Sequence, residues 1–260
     1  MYRIGSPARW FQVLALALVA LAVPAWSFAQ TAVPTDIGNL GGGSAHVNAV
    51  AEGFVVGTST VAGGARRAFV WSRATGTMTD IGALLDSPPA DAIYVASAAT
   101  SVNSRGAVVG GRTVGRYIAA TDSYVYSNTA FYWSQATGIQ TIVAVGNFGE
   151  SPLLINENGV VAGVDANGNV FRWTLAGGLQ GLGVTGSGDT YVSGINAQGD
   201  IVGNSGRGSR GYAVGFIADG SANTLTLLHS PSPDWPYNPP LRAEIHGGNV
   251  NIQINGINDS

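Results

Sequence analysis

The chain has 260 residues, 45% of them hydrophobic and only 10% charged, with 38 glycines, no cysteine and a formal charge of −3. That balance excludes intrinsic disorder, which needs low hydrophobicity and high net charge, and it excludes a disulfide framework or a cysteine nucleophile. It also argues against nucleic acid or an anionic membrane surface as partner, since both call for a basic patch.

The first segment reads as an export signal. Arg3 and Arg9 give a positive start, Val13 to Val23 form an eleven-residue apolar run, and Ser27-Phe28-Ala29 sets small residues at the −3 and −1 positions of a cleavage site. The run is shorter than the roughly 20 apolar residues of a membrane span. Residues 1–29 are therefore expected to be a signal peptide cleaved after Ala29, leaving 30–260 as one β-repeat domain, secreted to the periplasm or beyond the cell. The expected mature chain carries ten arginines against fifteen acids, a formal charge of −5. Arg207 and Arg210, in a Gly/Ser loop, come nearest to a basic patch and read as solvated.

Three phrases then recur in order. The first is V-N-S-R-G-A-V-V-G at 102–110, I-N-E-N-G-V-V-A-G at 155–163 and I-N-A-Q-G-D-I-V-G at 195–203, with a shorter copy, V-A-E-G-F-V-V-G, at 50–57. The closing glycines Gly57, Gly110, Gly163 and Gly203 lie 53, 53 and 40 residues apart. The side chains of Asn103, Asn156 and Asn196 can bond backbone two residues on, and Gly106, Gly159 and Gly199 can take positive φ. Apolar residues on both sides make each phrase a β-hairpin, with a bulge expected at the glycine.

The second phrase is A-F-V-W-S at 68–72, A-F-Y-W-S at 130–134 and V-F-R-W-T at 170–174. Phe69 and Trp71, Phe131 and Trp133, and Phe171 and Trp173 sit two apart, so each pair shares one face of a strand. Recurrence at one place in three copies favours a packing seam between repeats over a stacking platform for sugars. The third phrase, A-T-G at 74–76 and 136–138 and A-G-G at 176–178, is a turn leading to a closing strand. With room for a fourth strand, each unit of about 40–53 residues matches a propeller blade, and copies must stack to bury both faces. The expected fold is all-β: a propeller-like array of four recognisable repeats and an incomplete fifth, begun at Ile257-Asn258-Asp259-Ser260, in an open or unclosed ring. A β-solenoid ranks second and a sandwich third. An array that stops within a unit reads as a fragment truncated at its C-terminus, or as a ring whose last blade 30–40 completes.

These phrases resemble the HAF family of extracellular repeats, whose units run D-L-G-T-L-G-G, then A-I-N-x-x-G-Q-V-V-G, then H-A-F-L-W. Thr35-Asp36-Ile37-Gly38-Asn39-Leu40-Gly41-Gly42 and Thr79-Asp80-Ile81-Gly82 match the opening phrase, and the likeness covers about 35–204 before fading. Ala213 to Ala218 lacks the tryptophan. The resemblance implies an exported bacterial repeat protein and carries no reaction or catalytic residue.

Motifs for catalysis are missing from the residues. No serine has glycine at both −2 and +2, as a nucleophile elbow requires. His46, His229 and His246 fall in three unrelated segments, and Glu244 with His246 is a two-residue match that arises easily by chance. Asp165-Ala166-Asn167-Gly168-Asn169 resembles part of a calcium loop without its remaining carboxylates, and reads instead as a two-residue hairpin turn at Asn167-Gly168. Nothing calls for a cofactor or metal. The insertion Arg112–Tyr126 reads as a lengthened hairpin. Ser230–Pro240, with five prolines, presents Trp235 and Tyr237 on a stiff loop as candidate contacts for a ligand or partner. The expected role is a surface or secreted binding or scaffold module for an unknown extracellular ligand or cell-surface partner. The alternatives are a secreted propeller enzyme acting on carbohydrate or ester substrates, and the passenger region of a larger surface protein.

Overall fold

The computed structural model describes residues 34–84, 90–146, 151–184, 190–205, 214–221, 224–228, 243–246, 249–252 and 256–259. The chain divides into Met1–Asp36 and Ile37–Ser260, and every strand belongs to the second unit. The expected signal peptide, the Arg207/Arg210 loop, His229, Trp235 and Tyr237 lie outside the described residues.

The fold is all-β. Four sheets, each antiparallel and four-stranded, follow one another in chain order. The first holds β1 (Gly41–Ala51), β2 (Phe54–Val61), β3 (Arg66–Ser72) and β4 (Thr77–Asp80). The second holds β5 (Ala92–Val102), β6 (Val108–Ile118), β7 (Ser123–Ser134) and β8 (Gly138–Val145). The third holds β9 (Leu154–Ile155), β10 (Val161–Val164), β11 (Asn169–Thr174) and β12 (Gly178–Val184). The fourth holds β13 (Thr190–Ile195), β14 (Ile201–Ser205), β15 (Val214–Ala218) and β16 (Leu225–Leu228). A two-stranded sheet of β17 (Ala243–His246) and β18 (Asn249–Ile252) follows. Among the described residues a single 3-10 turn, Gly82–Leu84, is the only helical element. This repetition of short meanders is consistent with a β-propeller-like fold.

The Asn phrase forms the hairpin between the first two strands of a sheet. In the second sheet Asn103 Oδ1 accepts from the amides of Arg105 and Ala107 at 3.1 and 3.0 Å, while Gly106 N–H donates to the Asn103 carbonyl at 3.0 Å. Gly106, Gly159 and Gly199 have φ of 75°, 79° and 86°. The turn is therefore a type I turn followed by a left-handed glycine, the bulged three-residue hairpin loop, and a side chain at the glycine would be strained there.

A second irregularity sits opposite three of the four closing glycines, Gly57, Gly110 and Gly203. The pairing of β1 with β2 shifts between Val47 and Ala49, that of β5 with β6 between Ala99 and Ser101, and that of β13 with β14 between Val192 and Gly194. The partner strand bulges over the glycine while an aromatic ring covers it from the other side. A Cβ on Gly110 would stand 2.1 Å from the Ala98 carbonyl oxygen and 2.7 Å from Phe131 Cζ. Gly203 has the same neighbours in Tyr191 and Phe216. Thus glycine and phenylalanine are two halves of one packing unit, and Phe216 supplies it in the fourth sheet although the tryptophan is missing there.

The core lies between consecutive sheets. Phe131 of the second sheet is buried with Val56, Ala68 and Val70 of the first, and Trp133 packs against the same cluster. Phe171 and Trp173 of the third are buried with Val109, Ala130 and Tyr132 of the second. Phe216 and Ala218 of the fourth are buried with Ala162 and Val170 of the third. Each aromatic pair therefore points back at the preceding sheet, and the alternate residues of the same strand point forward, as the two-residue period requires. Phe69 is buried and Trp71 half-buried on the first sheet's other face.

Candidate functional site

The asparagine turns are coupled as well as repeated. Asn103 Nδ2 donates to the carbonyl of Asn156 at 3.1 Å, and Asn156 Nδ2 donates to the carbonyl of Asn196 at 2.7 Å. One amide side chain thus closes its own turn with its oxygen and reaches the next sheet with its nitrogen. These three residues are buried. An acid at the following position adds a parallel link: Glu157 accepts from the amide of Ser104, and Asp259 accepts from the amide of Ala197 at 2.6 Å. Ile257 packs against Val202, Ile217 and Leu228 of the fourth sheet. The fifth copy of the phrase therefore sits on the fourth sheet as the third copy sits on the second. Asn103, Asn156 and Asn196 are structural ties between consecutive turns.

Asp165 makes the same turn. Its Oδ1 accepts from the amides of Asn167 and Asn169 at 2.8 and 2.9 Å, and its Oδ2 accepts from Asn169 Nδ2 at 2.8 Å. The Asp165 amide bonds the Asn169 carbonyl across the loop, so the turn holds three residues, Ala166, Asn167 and Gly168, where the sequence pointed to two. The loop therefore has the same size and closing bonds as the Asn103 turn. Both carboxylate oxygens are engaged within the turn, and among the described residues no group of three His, Cys, Asp or Glu is placed to hold a metal. His46 lies exposed on β1, away from His246 on β17 in the sequence of sheets.

A candidate site lies at the first strands of the sheets. A cavity of about 700 Å³ opens where β1, β5 and β9 come side by side, within the size range of small-ligand sites. Its polar lining comes from Asn48, Thr58, Ser97, Thr100, Ser101 and Thr113, with Arg66 as the one charged group among the described lining residues; Ala49, Ala96, Ala98, Pro152 and Leu154 supply apolar surface.

Several of these groups are held in place by a first hydrogen bond and keep capacity for a second. Asn48 Nδ2 donates to the Ala99 carbonyl at 2.8 Å, and Thr100 Oγ1 donates to the Leu153 carbonyl at 2.8 Å, each reaching from one sheet to the next. Ser97 Oγ accepts from the Ala68 amide at 3.0 Å, which leaves its hydroxyl proton to donate. Thr113 Oγ1 donates to Asn128 Oδ1 at 2.7 Å, which leaves its lone pairs to accept. The same ties that fix one sheet to the next therefore orient the cavity's donors and acceptors.

Beside the cavity the second sheet extends well past its neighbours. The β6–β7 hairpin remains paired out to Ile118 and Ser123, so the insertion read from the sequence is a lengthened hairpin. Tyr94, Gly115 and Tyr126 stand in register across three strands, and Tyr117 faces Tyr124 two pairs further out. The four tyrosines thus share one face. Tyr94 and Tyr126 meet edge to face with ring centroids 6.4 Å apart, over Gly115, where a Cβ would lie 2.9 Å from the Tyr126 ring. Tyr117 and Tyr124 are tilted by 53° at 5.3 Å. Tyr124 and Tyr126 are 61% and 58% exposed, and Tyr94 also lines the cavity. Sequence reading missed this face because Tyr94 precedes the insertion by some twenty residues, and only strand register brings it beside Tyr126.

Tyr117 Oη donates to Asp122 Oδ1 at 2.7 Å at the hairpin tip, and that bond, with a smaller contribution from burial, holds the phenol above the usual tyrosine range. Asp122 is the one non-glycine among the described residues with positive φ, at 46°. Among the described residues no helix is long and apolar enough to cross a membrane.

No family model matches the chain, and no curated protein matches it. Among solved structures it is similar to TolB from Acinetobacter baumannii, at 12% identity and a TM-score of 0.30, with 72% of this chain and 55% of that one covered. The chain spans about half the length of that structure.

Proposed function

We propose that the chain is an exported bacterial repeat protein of the HAF kind, a binding or scaffold module at the cell surface or released from it. In this reading the four sheets are blades of an open propeller-like array, and residues 1–29 are a signal peptide removed after Ala29. The observation that supports a binding role is the cavity between β1, β5 and β9: about 700 Å³, with oriented hydroxyls and an amide set among alanine, proline and leucine side chains. Such a mixed lining suits a ligand with both polar and apolar surface. Trp235 and Tyr237 on the proline-rich segment are further candidate contacts.

The test is retention of the purified chain on whole cell-wall and cell-surface fractions, comparing the wild type with Ala96→Trp, which fills the cavity from a half-buried position on β5. Retention that Ala96→Trp weakens supports the proposal. Uniform absence of retention in the wild type overturns it.

A further inference from the structure

We infer that the ligand is a neutral polysaccharide chain, laid along the four-tyrosine face of the second sheet and entering the adjoining cavity; this rests on the binding role proposed above. Three features carry the inference. The first is the exposed aromatic face itself. Tyr117, Tyr124 and Tyr126 stand on a hairpin that extends past its neighbours, and Tyr124 and Tyr126 keep most of their surface in water. An aromatic ring presents a negative face, against which the weakly positive C–H groups on one side of a sugar ring can lie flat.

The second feature is spacing. Residues two apart on a strand are about 7 Å apart, so Tyr124 and Tyr126 set successive rings along one line on the strand, as an extended ligand requires. Tyr117 and Tyr124 are tilted at 53°, which leaves an open angle instead of a closed stack. The bond from Tyr117 to Asp122 fixes one ring of that pair before any ligand arrives. Fixed rings lose little side-chain entropy on binding.

The third feature is continuity. Tyr94 touches Tyr126 on one side and lines the cavity on the other, so the aromatic face runs into a recess of hydroxyl groups. Sugars need both surfaces at once: an apolar plate for the ring face and paired donors and acceptors for the equatorial hydroxyls. A protein partner would be served by the rings alone, with tyrosine as a typical anchor, and would leave the cavity unused. A polyanion would need more cations than Arg66, the one charged group among the described lining residues of the cavity.

The experiment is calorimetric titration with soluble neutral oligosaccharides of β-linked glucose, xylose, mannose and N-acetylglucosamine. The proteins are the wild type, Ala96→Trp, and the double variant Tyr124→Ala/Tyr126→Ala. The two tyrosines are exposed and lie outside every inter-sheet cluster, so the double variant keeps its fold, which an unchanged melting temperature verifies. Binding of at least one oligosaccharide, weakened about tenfold or more in both variants, supports the inference. Binding that Ala96→Trp abolishes and the tyrosine variant leaves intact overturns it. So does failure of every oligosaccharide to bind at millimolar concentration. Retention on whole cell-wall fractions then reports separately on the binding role, because that readout does not depend on the ligand being a neutral sugar.

Discussion

Arg172 and Ala218 occupy, at the junction of the third and fourth sheets, the places that Tyr132 and Trp173 hold at the junction of the second and third. In the earlier junction two rings meet with centroids 5.1 Å apart. In the later one the tryptophan position has shrunk to alanine, and the residue facing it has become a long cation. Arg172 Nη2 donates to the carbonyls of Gly199 and Asp219 at 2.9 and 2.8 Å, and its Nη1 donates to that of Gly220 at 3.1 Å. The side chain thus crosses the space a tryptophan would fill and ties two turns of the fourth sheet to the third. Burial lowers its pKa, opposed by the charges of Asp200 and Asp219.

This exchange of sizes predicts a coupling. Ala218→Trp overfills the junction and costs about 1–3 kcal/mol. Arg172→Tyr leaves three turn carbonyls without their donor and costs about 2–4 kcal/mol. Together they recreate the ring pair of the earlier junction, so the double variant is more stable than the sum by about 1 kcal/mol or more. Denaturant unfolding of the four proteins checks it, and simple additivity would show that the two positions do not answer one another.

The link from Asn156 to Asn196 separates two roles of one side chain. Asn156→Asp keeps the oxygen that caps the turn but sets a carboxylate against the Asn196 carbonyl. Asn156→Ala removes both roles and leaves the amides of Asn158 and Val160 unpaired as well. The alanine variant is expected to lose about 2–4 kcal/mol and the aspartate variant about 1–3 kcal/mol. Hydrogen exchange distinguishes them: the Val160 amide loses protection beyond the global change in the alanine variant alone.

The closing glycines differ in what confines them. Around Gly163 the nearest atoms to an added Cβ are Leu153 Cδ2 at 2.5 Å and Phe171 Cζ at 2.7 Å, both side chains. Around Gly110 the nearest is the Ala98 carbonyl oxygen at 2.1 Å. Either alanine substitution is destabilising by about 1–3 kcal/mol or more. Trimming the ring is expected to relieve the first, in Gly163→Ala/Phe171→Leu, and not the second, in Gly110→Ala/Phe131→Leu. Thermal melts of the two pairs, each referred to its single Phe→Leu variant, test this; equal relief at both sites would mean the backbone contact is not what confines Gly110.

At the hairpin tip, the phenolate of Tyr117 would form beside the Asp122 carboxylate and forfeit its hydrogen bond. The neutral form is therefore favoured and ionisation moves to higher pH. Asp122→Gly removes the carboxylate and also suits the positive φ of that position. The variant is expected to ionise Tyr117 in the ordinary tyrosine range, with stability unchanged to within about 1 kcal/mol. Phenolate absorbance followed against pH, with Tyr117→Phe to identify the signal, measures it.

Much of the architecture was legible in the chain because the repeat phrases are local. A turn such as Asn103 to Gly106 is fixed by side chain-to-backbone bonds within five residues, and the spacing of Phe171 and Trp173 sets one face by strand period alone. That the insertion Arg112–Tyr126 is a lengthened hairpin followed for the same reason. Less was legible where two distant segments decide the outcome. That Phe216 continues the glycine–phenylalanine unit without a tryptophan, and that Arg172 compensates for it, depends on which residues meet across a junction.

The candidate site belongs to that second class. The sequence by itself determined an all-β chain of repeated four-strand meanders, the turn chemistry of each, and the face on which each aromatic pair lies, because all three follow from contacts within a few residues. Tertiary structure alone decided that the aromatic pairs point to the preceding sheet, that β1, β5 and β9 border an open cavity of mixed polar and apolar lining, and that Tyr94 joins it to Tyr117, Tyr124 and Tyr126. These depend on stacking and register between segments tens of residues apart, where no local preference of the backbone acts.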